Sequence, residues 1–247
     1  MQMYPFSTMD EMRKRENYTQ ETIGEGFPII AMSYKDGIAL VTKSNAVMKK
    51  ISGLGQGIAL GIVGVYYHIM GIRELLNRLS RKNRMSLEKG QQISLMELLD
   101  SEDGLLSVMG KEYYENIWGI PFQVDVILAE ARESKNSFYR VDFRGLPYTK
   151  EGFIVCGGTE REDGEGTRQK IERHIHEKTN GDFSSLTLDD AFRLSIDAFR
   201  DSLDIRGDFL NRGHGEVLQV GILEREKELR APNGGEMKGF YQYLETD

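Results

Sequence analysis

The chain has 247 residues and carries 32 basic and 39 acidic side chains, a formal charge of -7 at pH 7. Both signs are mixed along its whole length, so no continuous basic field is available to hold a nucleic-acid backbone, and nucleic acid is not expected as a partner. The basic run Arg73, Arg78, Arg81, Lys82, Arg84 and Lys89 is interrupted by Glu74 and Glu88 and reads as a solvated or subunit-facing helix side. The single cysteine, Cys156, cannot form an internal disulfide and lies in the apolar run Phe153-Ile154-Val155-Cys156, where a thiol behaves as a small hydrophobe. A reducing cytoplasm fits that usage. The start Met1-Gln2-Met3-Tyr4-Pro5 lacks the basic cap and apolar core of a secretion signal. The most apolar stretch, Ile58 to Ile72, is shorter than the roughly 20 residues that span a bilayer and includes His68, so no membrane association is expected.

Taken in chain order, the first element is a helix from about residue 9 to Gly24. Ser7 and Thr8 stand three residues ahead of Asp10 and Glu11, which gives two overlapping capping boxes, and Gly24 and Gly26 end the helix. Its few apolar residues, Met9, Met12 and Ile23, make no full stripe, so tertiary or subunit packing has to hold it. Residues 1–8 form a tail ahead of it. Pro28 to Met32 and Ile38 to Thr42 are β-prone runs joined across Lys35-Asp36-Gly37, where Asp36-Gly37 predicts a tight hairpin turn with Gly37 at positive φ. A third run, Ile58 to Val63, leads into Val65, Ile69, Ile72, Leu76 and Leu79, whose spacing marks one helical stripe.

Between Met85 and Gly119 the glycines 90, 104 and 110 interrupt the pattern, although Leu105, Met109, Tyr113 and Ile117 share a helical face. Three strands are expected next: Gln123 to Glu130, Phe138 to Phe143, and Phe153 to Cys156 closed by Gly157-Gly158. Two helices follow, Gly166 to Thr179 and Leu188 to Leu203, the second capped by Thr187 and Asp190 and striped by Leu188, Phe192, Ile196, Phe199 and Leu203. After the glycine-rich stretch Arg206 to Gly215 come a strand from Val217 to Leu223, a turn at Pro232-Asn-Gly-Gly235 and a last strand-like run, Phe240 to Leu244. Blocks of antiparallel strand broken by helix pairs imply an α+β protein. Two packed sheets lie between outer helices, a four-layer αββα sandwich with an extra N-terminal helix and a single domain over 9–247.

Several chemical signals reduce to structure. His174 and His176 lie two apart on a helix and point about 200° from each other, so they cannot chelate one metal, and His68 and His214 have no ligand-like neighbours. Neither metal nor cofactor is expected. Ser52-Gly-Leu-Gly-Gln-Gly57 lies between strands and not at the mouth of a helix, and Gly164 to Lys170 lacks the spacing of a phosphate loop. Asp189-Asp190 sits in the first turn of a helix, where the dipole stabilises negative charge without catalysis.

In their order and spacing, a set of segments resembles the self-assembling subunits of the proteasome core particle, which share the αββα fold of the amino-terminal-nucleophile (Ntn) hydrolases. These are the first hairpin, Lys50-Ile51 leading into Ile58 to Gly64, Tyr139-Arg-Val-Asp-Phe-Arg-Gly145, Phe153 to Gly158, and Leu186-Thr-Leu-Asp-Asp-Ala191. A β-type subunit of that family cuts with a threonine freed at its amino terminus, supported by an acidic and a lysine side chain. The resemblance puts Phe27 at the nucleophile's place and Lys43 at the acid's. Phe27 has no hydroxyl and Lys43 has the wrong charge, while the helix ahead of Phe27 blocks a free amine. The chain therefore resembles an α-type subunit. Its opening Tyr4-Pro5-Phe6-Ser7 and Met12-Arg-Lys-Arg-Glu16 look more like the bacterial, actinobacterial-type form than the archaeal and eukaryotic ones.

The resemblance implies a non-catalytic subunit of an outer homo-heptameric ring, partnered by β subunits and by a ring-shaped ATPase activator, acting in protein degradation in the cytoplasm. Tyr4, Pro5 and Phe6 would form a gate on the symmetry axis, Tyr4 and Phe6 offering contact area and Pro5 a fixed φ. An activator's carboxyl terminus would be received by Lys50, with Gly26 and Val65 lining the slot. For Lys50 the alternative is a solvated lysine at a strand edge; for residues 1–6, a frayed terminus. Two other functions stay open: a self-processing Ntn-type amidohydrolase, and an assembly or binding protein on the same fold.

Overall fold

The computed structural model describes residues 7–45, 47–87, 93–116, 119–159, 166–203 and 216–245. Helix α1 spans Ser7–Gly24, two residues earlier than expected; its side chains before Met9, and with them the two expected caps, lie outside the described residues, as do residues 1–6. Strands β1 (Ile29–Tyr34) and β2 (Gly37–Asn45) pair antiparallel with Tyr34 opposite Gly37, so the connection is the two-residue turn Lys35-Asp36. Gly37 does not take the positive φ that the Asp-Gly dipeptide predicts. It is needed for another reason: a Cβ there would stand 2.1 Å from the carbonyl oxygen of Leu223 on the neighbouring strand.

Strands β3 (Ile51–Gly55) and β4 (Ile58–Gly64) form a second hairpin around Gln56-Gly57, so the glycine-rich stretch at 52–57, expected to lie between strands, is mostly strand. Helix α2 (Tyr66–Ser86) follows, and Ile69, Ile72, Leu76 and Leu79 are buried as their spacing predicts. The ambiguous stretch after it holds two helices, α3 (Leu95–Asp100) and α4 (Leu105–Tyr114). Ser94 and Glu97 close a capping box on α3, and Gly104 permits the sharp break, since a Cβ would lie 2.5 Å from the Leu99 carbonyl oxygen. Leu105, Met109 and Tyr113 form the buried face of α4, and Ile117 lies outside the described residues.

Strands β5 (Val124–Ala131), β6 (Asn136–Val141), the short β7 (Pro147–Thr149) and β8 (Phe153–Cys156) precede helices α5 (Thr167–Thr179) and α6 (Leu188–Leu203). The stretches 160–165 and 204–215, and with them most of the two glycine-bearing loops read from the sequence, lie outside the described residues. Strand β9 (Glu216–Glu224) pairs with β2 along its whole length. The final run is not a strand: Gly234–Glu245 is helix α7. The Asn233 side chain accepts from the amides of Gly235 and Glu236, both at 3.0 Å, and Glu236 accepts from the Asn233 amide at 2.7 Å, a reciprocal cap that outweighs the β preference of the aromatic run. Spacings of three and four then bring Met237, Phe240 and Leu244 onto one face, where Phe240 stacks on Phe192 at 3.9 Å between ring centres.

The result is a mixed helix and sheet fold with two antiparallel sheets, one ordered β8-β1-β2-β9 and the other β3-β4-β5-β6-β7. One buried cluster joins Ile29, Ala31, Ile38 and Leu40 of the first sheet to Ala59, Val63, Ile127 and Ala129 of the second. A second cluster packs α5, α6 and α7 on the other side chains of the first sheet, and a third packs α2, α3 and α4 on those of the second. Strand alternation explains this: successive residues such as Ile29 and Ile30 enter different clusters. Among the described residues, helix α1 adds Ile23 to a small cluster with Tyr113 and Phe143. Polar contacts add to it: Arg15 donates to the carbonyls of Tyr113 (3.2 Å) and Asn116 (3.0 Å), and the Tyr113 hydroxyl donates to Glu16. Among the described residues no helix is long and apolar enough to cross a membrane.

Candidate functional site

The three residues expected to line a docking slot are brought to one corner, where the end of α1 meets both sheets. Lys50 stands just before β3, and its main chain is held on both sides. Its amide donates to the Gln219 side chain at 2.9 Å, and its carbonyl accepts from Ile62 at 3.0 Å. Gln219 in turn donates to the carbonyl of Met48 at 3.0 Å, tying the approach to β3 onto β9. The Lys50 side chain then runs inward. It is not a solvated lysine at a strand edge: the residue is only 4% exposed.

Its ammonium group donates to the carbonyl oxygens of Phe27 at 2.8 Å and of Lys43 at 3.1 Å, 6.0 Å from the centre of the Phe27 ring. These are the two positions that the resemblance equates with nucleophile and acid. Both offer main-chain oxygen to Lys50. The Phe27 side chain turns instead toward α6, edge-on to Phe199 at 4.8 Å, and the half-buried Lys43 brings a cation where an acid would be required. Gly26 continues the chain from α1 into Phe27, so the Phe27 nitrogen is a peptide nitrogen within the chain.

Gly26 and Val65 flank this corner from two sides. A Cβ on Gly26 would meet Val63 Cγ1 at 2.6 Å and the Gly64 nitrogen at 3.8 Å, so the turn after α1 lies directly on the end of β4. Val65 is half-buried, caps α2, and donates its amide to Gln123 at 3.0 Å. Exposed Tyr66, Tyr67 and Met70 follow it on the first turns of α2, and Arg73 of the same helix donates to the Lys49 carbonyl. Burial pulls the Arg73 guanidinium below its ordinary range. The gate residues Tyr4, Pro5 and Phe6 lie outside the described residues.

A second polar centre, which motif reading did not find, lies behind α1. Asp125 on β5, Arg140 on β6 and Arg168 on α5 are all buried. Asp125 contacts Arg140 Nε at 3.3 Å and Arg168 at 3.6 Å, and its Oδ2 accepts the Gly157 amide at 2.8 Å. Gly157 can present that amide because its φ of 76° is open to glycine. The Cys156 thiol donates to the Asp125 carbonyl at 2.9 Å, and burial raises its pKa well above the ordinary value. The sequence signals for this centre are single charges set against apolar neighbours, Asp125 in Val124-Asp-Val-Ile-Leu128 and Arg140 beside Val141.

The other signals are structural. Asp190 accepts from the Thr187 amide at 3.0 Å and from its hydroxyl at 2.6 Å, and that hydroxyl bond foremost holds the Asp190 carboxyl below its usual range. His174 faces Asp201 at 3.3 Å, and no three His, Cys, Asp or Glu side chains among the described residues converge to hold a metal.

No protein-family model matches the chain. It is 23% identical to the proteasome subunit alpha of Kineococcus radiotolerans, with 92% of this chain and 91% of that one aligned. It is 22% identical to that of Pseudarthrobacter chlorophenolicus, over 92% and 90%, and 23% identical to that of Acidothermus cellulolyticus, over 92% of both chains. The resemblance carried by separate motifs thus extends along nearly the whole sequence, and the protein is similar to the α subunits of actinobacterial proteasomes.

Proposed function

We propose that the chain is a non-catalytic α-type subunit of a proteasome core particle, a single αββα sandwich of the Ntn-hydrolase type preceded by α1 and a gating tail. Seven copies form an outer ring, the tails with Tyr4, Pro5 and Phe6 narrow the axial opening, and a ring of β subunits carries out proteolysis in the cytoplasm. The observation that carries this reading is the corner around Lys50. At the position that the resemblance equates with the nucleophile the chain has Phe27 inside a continuous backbone, and at that of the acid it has Lys43, both giving their carbonyl oxygens to Lys50. The relatives' shared name points the same way.

In this reading the carboxyl terminus of an ATPase activator enters between neighbouring subunits at Lys50, Gly26 and Val65. Because the ammonium now donates to two carbonyls, an arriving carboxylate has to recruit it from them, a local exchange that couples docking to the turn between α1 and β1. A second reading rests on the same geometry: Lys50 is an internal tie between β1, β2 and β3 with no activator contact. Co-expression with a threonine-bearing β subunit, followed by gel filtration and peptide hydrolysis, tests the assembly. Docking predicts that Lys50→Ala particles assemble but lose activator-stimulated proteolysis, and undiminished stimulation would leave only the tie. Removal of residues 1–7 is expected to raise small-peptide hydrolysis; an unaltered rate would reject the gate. A chain purified with a new terminus at an internal threonine would instead establish a self-processing hydrolase.

A further inference from the structure

Just ahead of β5, Gln123 joins three elements. Its carbonyl accepts the amide of Val65, the residue that caps α2, at 3.0 Å. Three residues further along that helix, His68 Nδ1 accepts the Gln123 amide at 3.1 Å. The Gln123 side chain donates to the Thr22 hydroxyl of α1 at 3.3 Å, and that hydroxyl donates in turn to the Tyr18 carbonyl at 2.8 Å. Gln123 is only 6% exposed, so water does not readily replace a partner that it loses. Strand β4 closes the other side: a Cβ on Gly64 would stand 2.0 Å from the Gln123 carbonyl oxygen.

A ring nitrogen accepts a hydrogen bond only while it carries no proton, so His68 is neutral in this arrangement, with its proton on Nε2. A proton on Nδ1 would turn the acceptor into a donor that faces the Gln123 N–H, and the bond would give way to two opposed donors. The surroundings favour the neutral form. The ring is half-buried and stands edge-on to Phe122 at 5.7 Å between ring centres, and burial holds its pKa below the ordinary 6.5. Glu112 of α4 pulls the other way and more weakly, its carboxylate accepting from the Asn116 side chain at 2.8 Å. On α1, α2, α4 and the approach to β5, Glu112 is the one charged group among the described residues that acts on the ring.

We propose that His68 is a pH-sensitive latch: the neutral ring holds Gln123, and with it the joint between α1, α2 and β5, and a proton on Nδ1 releases that joint. The inference goes beyond the assembly reading and does not depend on it. Because the folded chain binds this proton less readily than the unfolded one, the latch contributes fully above the ordinary 6.5 and is lost as the pH falls through the lower folded value. Hydrogen exchange of the full chain, read by mass spectrometry and corrected for the intrinsic rate at each pH, tests it. From about pH 8 to about pH 5 the segment around Gln123 is expected to lose about tenfold in protection, the size of one hydrogen bond, with a smaller loss around Thr22. His68→Asn, which offers an oxygen in place of Nδ1 and does not titrate, is expected to keep its protection at both ends of that range. Constant protection in the wild-type chain, or an equal loss in His68→Asn, would overturn the latch. Should that variant fail to fold, the ring itself decides: the ¹⁵N resonances of labelled His68 in the wild-type chain show a proton on Nε2 and none on Nδ1 at neutral pH if the proposal holds, and a proton on Nδ1 refutes it.

Discussion

Two buried cationic centres lie on either side of the turn that leads from α1 into the first sheet, and they are satisfied in different currencies. At Lys50 the ammonium meets main-chain dipoles, the carbonyls of Phe27 and Lys43. Arg140 and Arg168 both face a formal charge, the carboxylate of Asp125. A compact ammonium can be accommodated by main-chain oxygens within hydrogen-bond reach, whereas two neighbouring buried guanidinium groups repel each other and gain from a carboxylate between them. Removing the Asp125 charge therefore uncovers a repulsion between neighbouring guanidinium groups, whereas removing the Lys50 ammonium leaves two carbonyl oxygens to find another donor.

The sharpest way to break this comparison is Asp125→Asn. It keeps the shape but removes the counter-charge, and a loss of about 3–5 kcal/mol is expected in denaturant unfolding, against a smaller loss for any single change at Lys50. Lys50→Met comes next: it leaves the carbonyls of Phe27 and Lys43 without this donor in a buried place, for a loss of about 2 kcal/mol by the same measurement. If Lys50→Met proves as costly as Asp125→Asn, the distinction between dipolar and charged centres falls. Tyr113→Phe sharpens the picture at the other face of α1 by removing the hydroxyl that donates to Glu16, at about 1 kcal/mol, with amide exchange accelerated in α1 and not in the sheets.

The smallest effect is expected at the surface. Arg230 bridges Glu224 (2.8 Å) and Glu236 (2.8 Å) beside the hairpin turn at Lys35-Asp36. Hydrogen bonds from Lys227 and then Arg230 hold the Glu224 carboxyl below its ordinary 4.5, and those from Arg230 do the same for Glu236. A depressed folded value means that the contribution is complete above the unfolded value and is lost as pH falls through the folded one. Solvent screens these partly exposed groups, so Arg230→Met should cost under about 1 kcal/mol at neutral pH. The variant and the parent should converge in Tm once the pH has fallen below the depressed folded values, and a difference persisting there would show that the arginine acts through packing instead.

Much of the fold was legible because its signals are local. The stripe Ile69, Ile72, Leu76 and Leu79, the cap at Thr187 and Asp190, and the apolar runs of β1, β2, β5 and β8 each declare an element within a few residues. The failures are also local in origin. The aromatic run at 240–244 favours a strand by preference alone, and the Asn233 cap with the Phe192 ring decided for helix α7. Gly37 invited a positive-φ turn, but its glycine serves the close approach of β9. Strand β7, three exposed residues without alternation, carried no signal of its own and exists through its pairing with β6.

By itself the sequence determined most of the helices and strands and the chemistry withheld from position 27, because a phenylalanine inside a chain has neither hydroxyl nor free amine wherever it is placed. Only the tertiary structure decided where the charges go. Lys50 finds its acceptors on Phe27, just ahead of β1, and on Lys43 of β2, and Asp125 meets arginines from another strand and a distant helix. Those partners are chosen by sheet register and by the way the sheets and helices stack, which no spacing of residues along the chain encodes.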